Sequence, residues 1–492
     1  RAAAMGAASD EPSKAEQRNS ELPTLEEHLK HAGVGRWQLQ IFGMVSLLVA
    51  ADGMEMTVIS LLRQPLSKEW GLDDFVFSAL GSTVFAGLLI GNLIGGYLAD
   101  TFGRRNTLLG VSSVFCTFGL LSAIAPDVWV FAFARFFTGV GVGSMVPVSD
   151  AHLLEWSPSE WRAKLAMALT GVAFALGAAF ACVVGIEISA HGGEEWWRWM
   201  LFVCVAPGLI ALPVCFFFLP ESPHFLLVHG RKEECEELLR ELAIANGKEP
   251  LQNGQVQQLH NPLDASAWNP WEIFGRELYA TSFYCTCAWV VCGFVYYGHI
   301  FIYPVLLEEM YDMKVQEAYS TVLISVLVEI TAVIAAMILM DIEGIGRRGA
   351  MGIGFFLSAV CCFLIPYSQN LSQFVALNSS IKGIIEAPFT VIYIYAGELY
   401  PTTHRGTAVA FCNSFGRVAA MIAPVLCMAC YHEDPLMVFG IFAALCAGGV
   451  VCSLLFQRET LGQPLYMYTD EIEMDAGMPL LWGGAKDKDK GR

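Results

Sequence analysis

The sequence predicts an all-α membrane protein with twelve transmembrane helices in two pseudo-symmetric six-helix bundles. Three observations lead there. Hydrophobic residues make up 55% of the 492 residues and charged residues only 15%, against about 25% charged in a soluble domain. That deficit is expected if much of the surface faces lipid. Apolar runs repeatedly reach the ~20 residues needed to cross a bilayer. One unusual segment also occurs twice. Gly96-Tyr97-Leu98-Ala99-Asp100-Thr101-Phe102-Gly103-Arg104-Arg105 follows one apolar run, and Asp341-Ile342-Glu343-Gly344-Ile345-Gly346-Arg347-Arg348 follows another roughly 240 residues later. Each is an acid, a glycine turn and two arginines at the mouth of an apolar helix, so the two halves share one plan.

In chain order, residues 1–36 are a polar tail that starts at Arg1 rather than Met, which points to a trimmed or partial N-terminus. Within it Thr24 to Lys30 carries a capping-box pattern for a short helix. The first bundle covers 37–219, with spans at roughly 39–63, 75–99, 107–125, 128–150, 163–188 and 198–219. A polar connecting loop, 220–278, holds a short amphipathic helix from Lys232 to Ile244. The second bundle covers 279–457, with spans at roughly 279–306, 318–340, 350–366, 371–397, 407–430 and 436–456. Residues 458–492 form a second polar tail.

Charge sets orientation and excludes some functions. A net charge of -18 argues against nucleic acid as a partner. With the N-terminus inside, one set of short loops holds Arg104, Arg105, Arg162, Lys164, Arg347, Arg348 and Arg405, and the connecting loop adds Arg231, Lys232, Arg240, Lys248 and Arg276. The opposite loops hold little beyond Lys68, Arg198 and Lys314. Excess lysine and arginine marks the cytosolic side, so both termini are expected in the cytosol; the sequence names no particular membrane. The 15 cysteines sit mostly inside apolar runs and lack zinc spacing, as buried inert thiols do. No nucleophile–base constellation and no phosphate-cradling Gly-Lys loop is present. The expectation is a protein that is not an enzyme, with no cofactor and no metal.

Several motifs together name a family. The two repeated loops resemble the signature between helices 2 and 3 of the major facilitator superfamily and its echo between helices 8 and 9. Arg135-Phe136-Phe137-Thr138-Gly139, Glu155-Trp156-Ser157-Pro158 with Arg162, Pro220-Glu221-Ser222-Pro223, Glu398-Leu399-Tyr400-Pro401 with Arg405, and Arg458-Glu459-Thr460 resemble sugar-porter-type patterns. Val34 to Gln38, Ala51 to Met56 and Arg417 resemble the synaptic vesicle 2-related group, near niacin and organic ion transporters. His224 follows Pro-Glu-Ser-Pro where sugar porters usually carry arginine, and helices 5 and 7 lack a run of glutamines and asparagines; both argue against a hexose. The resemblance implies a secondary transporter, competent as a monomer, that carries a small molecule across the lipid bilayer by alternating access. It also implies that Asp100, Arg104, Arg135, Glu155, Arg162 and Glu221, with Asp341, Arg347, Glu398, Arg405 and Glu459, form ion-pair networks at the cytosolic ends. Such pairs can form in one state and break in the other.

A second set of charges lies deep, where a charged side chain costs several kcal/mol, from about 2.5 upward. Asp52 is some thirteen residues into the first span, roughly 20 Å at 1.5 Å per residue, and Glu55 follows on nearly the same face. A carboxylate that can be neutralised is what proton coupling requires; substrate contact and a structural ion pair are the alternatives. Arg417 lies at mid-depth of the eleventh span and stays charged when buried. It needs an anion: Asp52, Glu55, Glu386 or a substrate carboxylate. Glu329 is midway along the eighth span, and Lys382 and Glu386, four apart, are placed to neutralise each other. Tyr297 and Tyr393 are candidates to hold a flat ring. The reading is a carrier of a small organic ion, a monocarboxylate such as a nicotinate-like acid, with a proton as coupling ion. An organic cation carrier, a sugar-like solute carrier and a non-transporting vesicle or sensor member are the rivals.

Overall fold

The computed structural model describes residues 22–191, 193, 195–257, 274–275, 278–400 and 405–461. Most of the first tail, Arg276, Pro401, the side chain of Arg405 and the tail beyond residue 461 lie outside the described residues.

The described chain is helical and contains no strand. A short helix α1, Leu25–Ala32, precedes the first long helix, α2, Arg36–Leu61. The first half continues with α3 Arg63–Trp70, α4 Asp74–Phe102, α5 Arg104–Ala123 and α6 Val128–Glu155. It closes with α7 Ser159–His191 and α8 Trp196–Phe218. The connecting segment forms α9 Pro223–Val228 and α10 Lys232–Ala245. The second half comprises α11 Tyr279–Tyr311, α12 Val315–Leu339, α13 Gly346–Leu364, α14 Leu371–Leu399, α15 Arg405–Glu433 and α16 Met437–Leu455. Eleven of the twelve long helices are long and apolar enough to cross a membrane. The other, α14, has 29 residues, and Lys382, Glu386 and Glu398 dilute its apolar character.

Side-chain caps start several helices at the end opposite the signature loops. Asp73 accepts from the Val76 N–H at 2.7 Å to open α4, Asp127 accepts from Trp129 at 2.8 Å and Val130 at 3.0 Å to open α6, and Asn370 accepts from Gln373 at 2.9 Å to open α14. Each satisfies a donor that the helix itself leaves unpaired. At the signature end α4 stops at Gly103, whose φ of 93° suits glycine and turns the chain straight into α5. Gly344 at φ 91° and Gly346 at φ 64° make the matching turn into α13.

Burial sorts the helices into layers. In α2 and α11, 83% and 89% of the apolar window is buried inside the protein, against 33% in α8 and α16. The first helix of each half therefore lines the centre, and the last faces outward. The exposed side chains of the outer helices are large and apolar, among them Phe202, Phe217, Phe218, Val451 and Leu454, as a lipid-facing surface requires. Across the two halves α4 packs along α15, and α7 along α12. Close approach of α2 to α7 depends on Gly53 and Gly177. A Cβ on Gly53 would collide with the Phe174 carbonyl, and one on Gly177 with the Ala50 carbonyl. Small residues at such a crossing let two backbones meet, and here they bring Asp52 against the central chamber.

Candidate functional site

One cavity lies between the halves at mid-depth. Asp52 of α2 and Phe174 of α7 line it from the first half; Tyr297 of α11, Glu386 and Tyr393 of α14, and Arg417 of α15 line it from the second. Its volume is about 30 Å³, room for a few waters. Local irregularities shape the wall. α7 loosens to a π-helical stretch over Ala168–Ala173, which carries Thr170 into the lining. Pro388 interrupts the backbone ladder of α14 between Glu386 and the lining residue Phe389.

Arg417 is only 3% exposed. Its guanidinium donates to the Tyr297 hydroxyl at 2.8 Å and the Tyr393 hydroxyl at 3.2 Å, and lies 5.8 Å from the centre of the Tyr297 ring. Trp289 packs at right angles to Tyr393, with ring centres 4.3 Å apart, and braces that ring. The Nε of Arg417 has no hydrogen-bond partner, and among the described residues no acid forms an ion pair with it. Asp52, expected as a possible partner, lines the same cavity, is 3% exposed, and has Oδ1 without a hydrogen bond. Glu386 is 4% exposed and has Oε2 without one. Two carboxylates and one guanidinium thus face a common space with hydrogen-bonding capacity left over on all three.

Other deep residues are placed differently from the expectation. Glu55 does not line the chamber. It forms a buried ion pair with Arg135 inside the first half, and Arg135 also donates to the Ser122 hydroxyl. Arg135 was expected at a cytosolic end; seven residues into α6 from the opposite end, it is 0% exposed instead. Residues three apart on a helix diverge by about 60° around the axis, enough for Asp52 to face the chamber while Glu55 faces α6. Lys382 does not neutralise Glu386. Its Nζ lies 3.2 Å from Glu329 Oε2 on α12, while the Tyr296 hydroxyl donates to Glu329 Oε1 at 2.9 Å. Among the described residues Glu386 is left without an ion-pair partner for that reason.

At the signature end the predicted charges form two clusters of one design. Arg104 pairs with Asp100 at 2.9 Å and Glu155 at 3.1 Å; Arg347 pairs with Asp341 at 3.4 Å and Glu398 at 3.2 Å. Ser222 donates to Glu155, and Thr460 donates to Glu398 at 2.5 Å. Glu221 accepts from the Arg105 N–H at 3.1 Å, and Glu459 from the N–H groups of Arg347 at 2.9 Å and Arg348 at 3.0 Å. Each glutamate caps the first turn of the helix after its signature loop, where the helix dipole favours an anion. Arg162 joins neither cluster: it pairs with Glu26 of α1 at 2.7 Å and donates to the Ser157 carbonyl oxygen at 3.0 Å. Both clusters lie within their own half. Among the described residues the ion pair that crosses between halves at this end is Lys164 with Asp341 at 3.3 Å.

Three features were missed from sequence. Asp150 follows the lining residue Val146 by one turn of α6, and its Oδ1 is buried without a partner; an acid inside a glycine-rich span was the available signal. Thr170 and Phe389 had no distinguishing signal among similar residues. At the end opposite the signature loops, Arg63 pairs with Asp74 and Glu309; an arginine closing an apolar run was the sign.

Comparison with known proteins agrees with this architecture. Residues 53–471 match the model of the family described as sugar (and other) transporter. The chain is 31% identical over 417 residues to a solute carrier family 22 member 15-like protein of Xenopus tropicalis, covering 83% of this chain and 82% of that one. It is 26% identical over 460 residues to the synaptic vesicle 2-related protein of Rattus norvegicus, covering 90% and 82%. Among solved structures, the major facilitator superfamily proton:xylose symporter XylE bound to 6-bromo-6-deoxy-D-glucose superposes with a TM-score of 0.72 at 21% identity, over 89% of this chain and 98% of that one.

Proposed function

This chain belongs to the sugar (and other) transporter family, and on that footing we propose that it carries a small aromatic monocarboxylate, such as a nicotinate-like acid, by proton-coupled alternating access. The observation that carries the reading is Arg417, a buried guanidinium held by two tyrosine hydroxyls and, among the described residues, with no acid paired to it. A planar fork of donors suits a carboxylate and binds it in two places. The rings of Tyr297, Phe389 and Tyr393, with centroids 5.9 and 6.0 Å apart in succession, give a flat substrate faces and edges to pack on.

Charge balance supports the coupling ion. Around the chamber Asp52 and Glu386 carry two formal negative charges against one positive on Arg417, while Lys382 and Glu329 cancel. A substrate carboxylate adds a third negative charge. Closing a low-dielectric chamber over that set calls for a compensating cation, and a proton on Asp52 or Glu386 is the smallest. The single chain contains the whole chamber, so a monomer suffices. The signature end is the cytosolic one in this reading, since it carries the arginine excess.

Purified protein in liposomes tests the reading. Uptake of a labelled aromatic acid rises when an inward proton gradient is imposed, and Asp52→Asn loses that dependence. Uptake that ignores the gradient, with Asp52→Asn fully active, rules out coupling through Asp52. A second reading, an organic cation carrier, is favoured by the unpartnered oxygens of Asp52 and Glu386. Arg417→Ala separates the two: it sharply lowers transport of an anion and spares that of a cation. If no metabolite raises the melting temperature and no counterflow is seen, the chain is a non-transporting member of its family.

A further inference from the structure

A second polar cluster lies at the end opposite the signature loops. Arg63, the first residue of α3, donates to Asp74 at 2.7 Å and pairs with Glu309 in the last turn of α11. His432, in the last turn of α15, has Nε2 3.2 Å from the other oxygen of Asp74. The Tyr431 hydroxyl donates to Glu309 Oε2 at 2.6 Å. Beneath this layer Phe77 stacks on Phe301 at 5.3 Å, Ser82 donates to the Met421 carbonyl oxygen at 2.7 Å, and the Tyr319 hydroxyl donates to the Leu61 carbonyl oxygen. Every contact in the lower layer, and both Arg63–Glu309 and His432–Asp74 above it, joins one half to the other.

We propose that Arg63, Asp74, Glu309, Tyr431 and His432 form the outer gate of the transport cycle, a polar latch that splits at the Arg63–Glu309 ion pair and at the His432–Asp74 contact. It rests on the alternating-access reading above. The pattern of partners is the argument. When the halves separate here, Arg63 keeps Asp74 within the first half, and Glu309 keeps the Tyr431 hydroxyl within the second. Asp74 keeps its counter-charge and the more exposed Glu309 keeps a hydrogen-bond donor in either state, so the latch has two tolerable arrangements rather than one. Arg63 is only 14% exposed in its side chain, so the closed pair is less screened than a surface pair. The signature-end clusters differ: their pairs stay within a half, and among the described residues the ion pair that crosses there is the more exposed Lys164–Asp341.

Spin-label distances in nanodiscs test the gate. One pair of labels at positions 126 and 369 reports the outer end; a second pair at 160 and 343 reports the signature end. Encoded keto residues carry the labels, so the native cysteines stay in place. In Glu309→Gln, which keeps the size and hydrogen-bonding of the side chain, and in Arg63→Ala, the long-distance population of the outer pair should rise about fivefold, as losing a partly buried ion pair would give, while the signature-end distance does not lengthen. Unchanged outer distances in both variants overturn the proposal. So does lengthening of both pairs together, which signals general loosening. The distances are read without substrate, so failure of the monocarboxylate reading leaves this test intact, and failure of the gate leaves the uptake assay intact.

Discussion

Arg417 is the residue on which the proposed preference for an anion depends. Removing a buried charged group that binds a charged ligand typically costs 2–5 kcal/mol, so on the proposed function Arg417→Ala should lower kcat/KM for the labelled acid by about a hundredfold. Arg417→Lys should not recover it, because one ammonium cannot reach both tyrosine hydroxyls and a carboxylate in the geometry of the fork. Uptake kinetics of the two variants check both statements. The Lys382–Glu329 pair makes a separate prediction. Both side chains are buried, at 2% and 0% exposure, so removing one strands the other. Lys382→Met should lower thermal stability strongly, by about 3 kcal/mol. Adding Glu329→Gln should restore most of it, since an apolar and a neutral group then face each other. If the double variant melts as low as the single one, the lysine is not held there as the partner of Glu329.

Among the elements, the small helix α1 offers the sharpest test. It docks on the connecting segment through His28 Nε2 at 2.8 Å from the Gln255 carbonyl oxygen, His31 Nε2 at 2.9 Å from that of Glu249, and the Gln257 N–H at 2.9 Å from that of Pro23. Asn246 ties the joint: it accepts from the Trp37 N–H at 3.1 Å and donates to Gln38 at 2.9 Å. Burial holds the pKa of His28 below the usual histidine value. A histidine that binds its proton less well when docked favours docking above its free pKa, ~6.5, and loses that contribution as pH falls through and below it. Amide exchange over residues 25–33, corrected for intrinsic rate, should therefore speed up between pH 7.5 and 5.5, and His28→Gln should flatten the change. Equal pH dependence in the variant would clear His28 of the role. On the same segment, burial pushes the Cys235 thiol up to about 12, so this cysteine stays a thiol and should resist alkylation at neutral pH in the folded protein.

For the whole molecule, the helices and the twinned halves were legible because both leave long signals: apolar runs of membrane length and a repeated acid–glycine–arginine turn. Asp52 and Arg417 were legible for a related reason, since charge at mid-depth stands out wherever it occurs. Partner choice was not. Lys382 has Glu386 one turn away and Glu329 on another helix, and helix spacing alone cannot rank the two. Glu55 and Asp52 share a rough face, and only the packing of α6 against α2 divides them. The fate of the signature-end charges is the same kind of fact. The resemblance implied ion-pair networks at these ends without naming partners; Arg104 and Arg347 each hold acids of their own half, and Lys164 with Asp341 makes the bridge. Two consequences follow from that division. Arg104→Ala and Arg347→Ala share no partner, so their effects on thermal stability should add to within about 0.3–0.5 kcal/mol. Lys164→Glu instead sets a like charge against Asp341 across the interface, so labels at 160 and 343 should move apart. Because Lys164 and Asp341 are 48% and 37% exposed, salt should erase most of that movement at 1 M, where the screening length is about 3 Å. An unaltered distance at low salt would mean that the bridge does not hold this end shut, and that closure depends instead on α7 packing along α12.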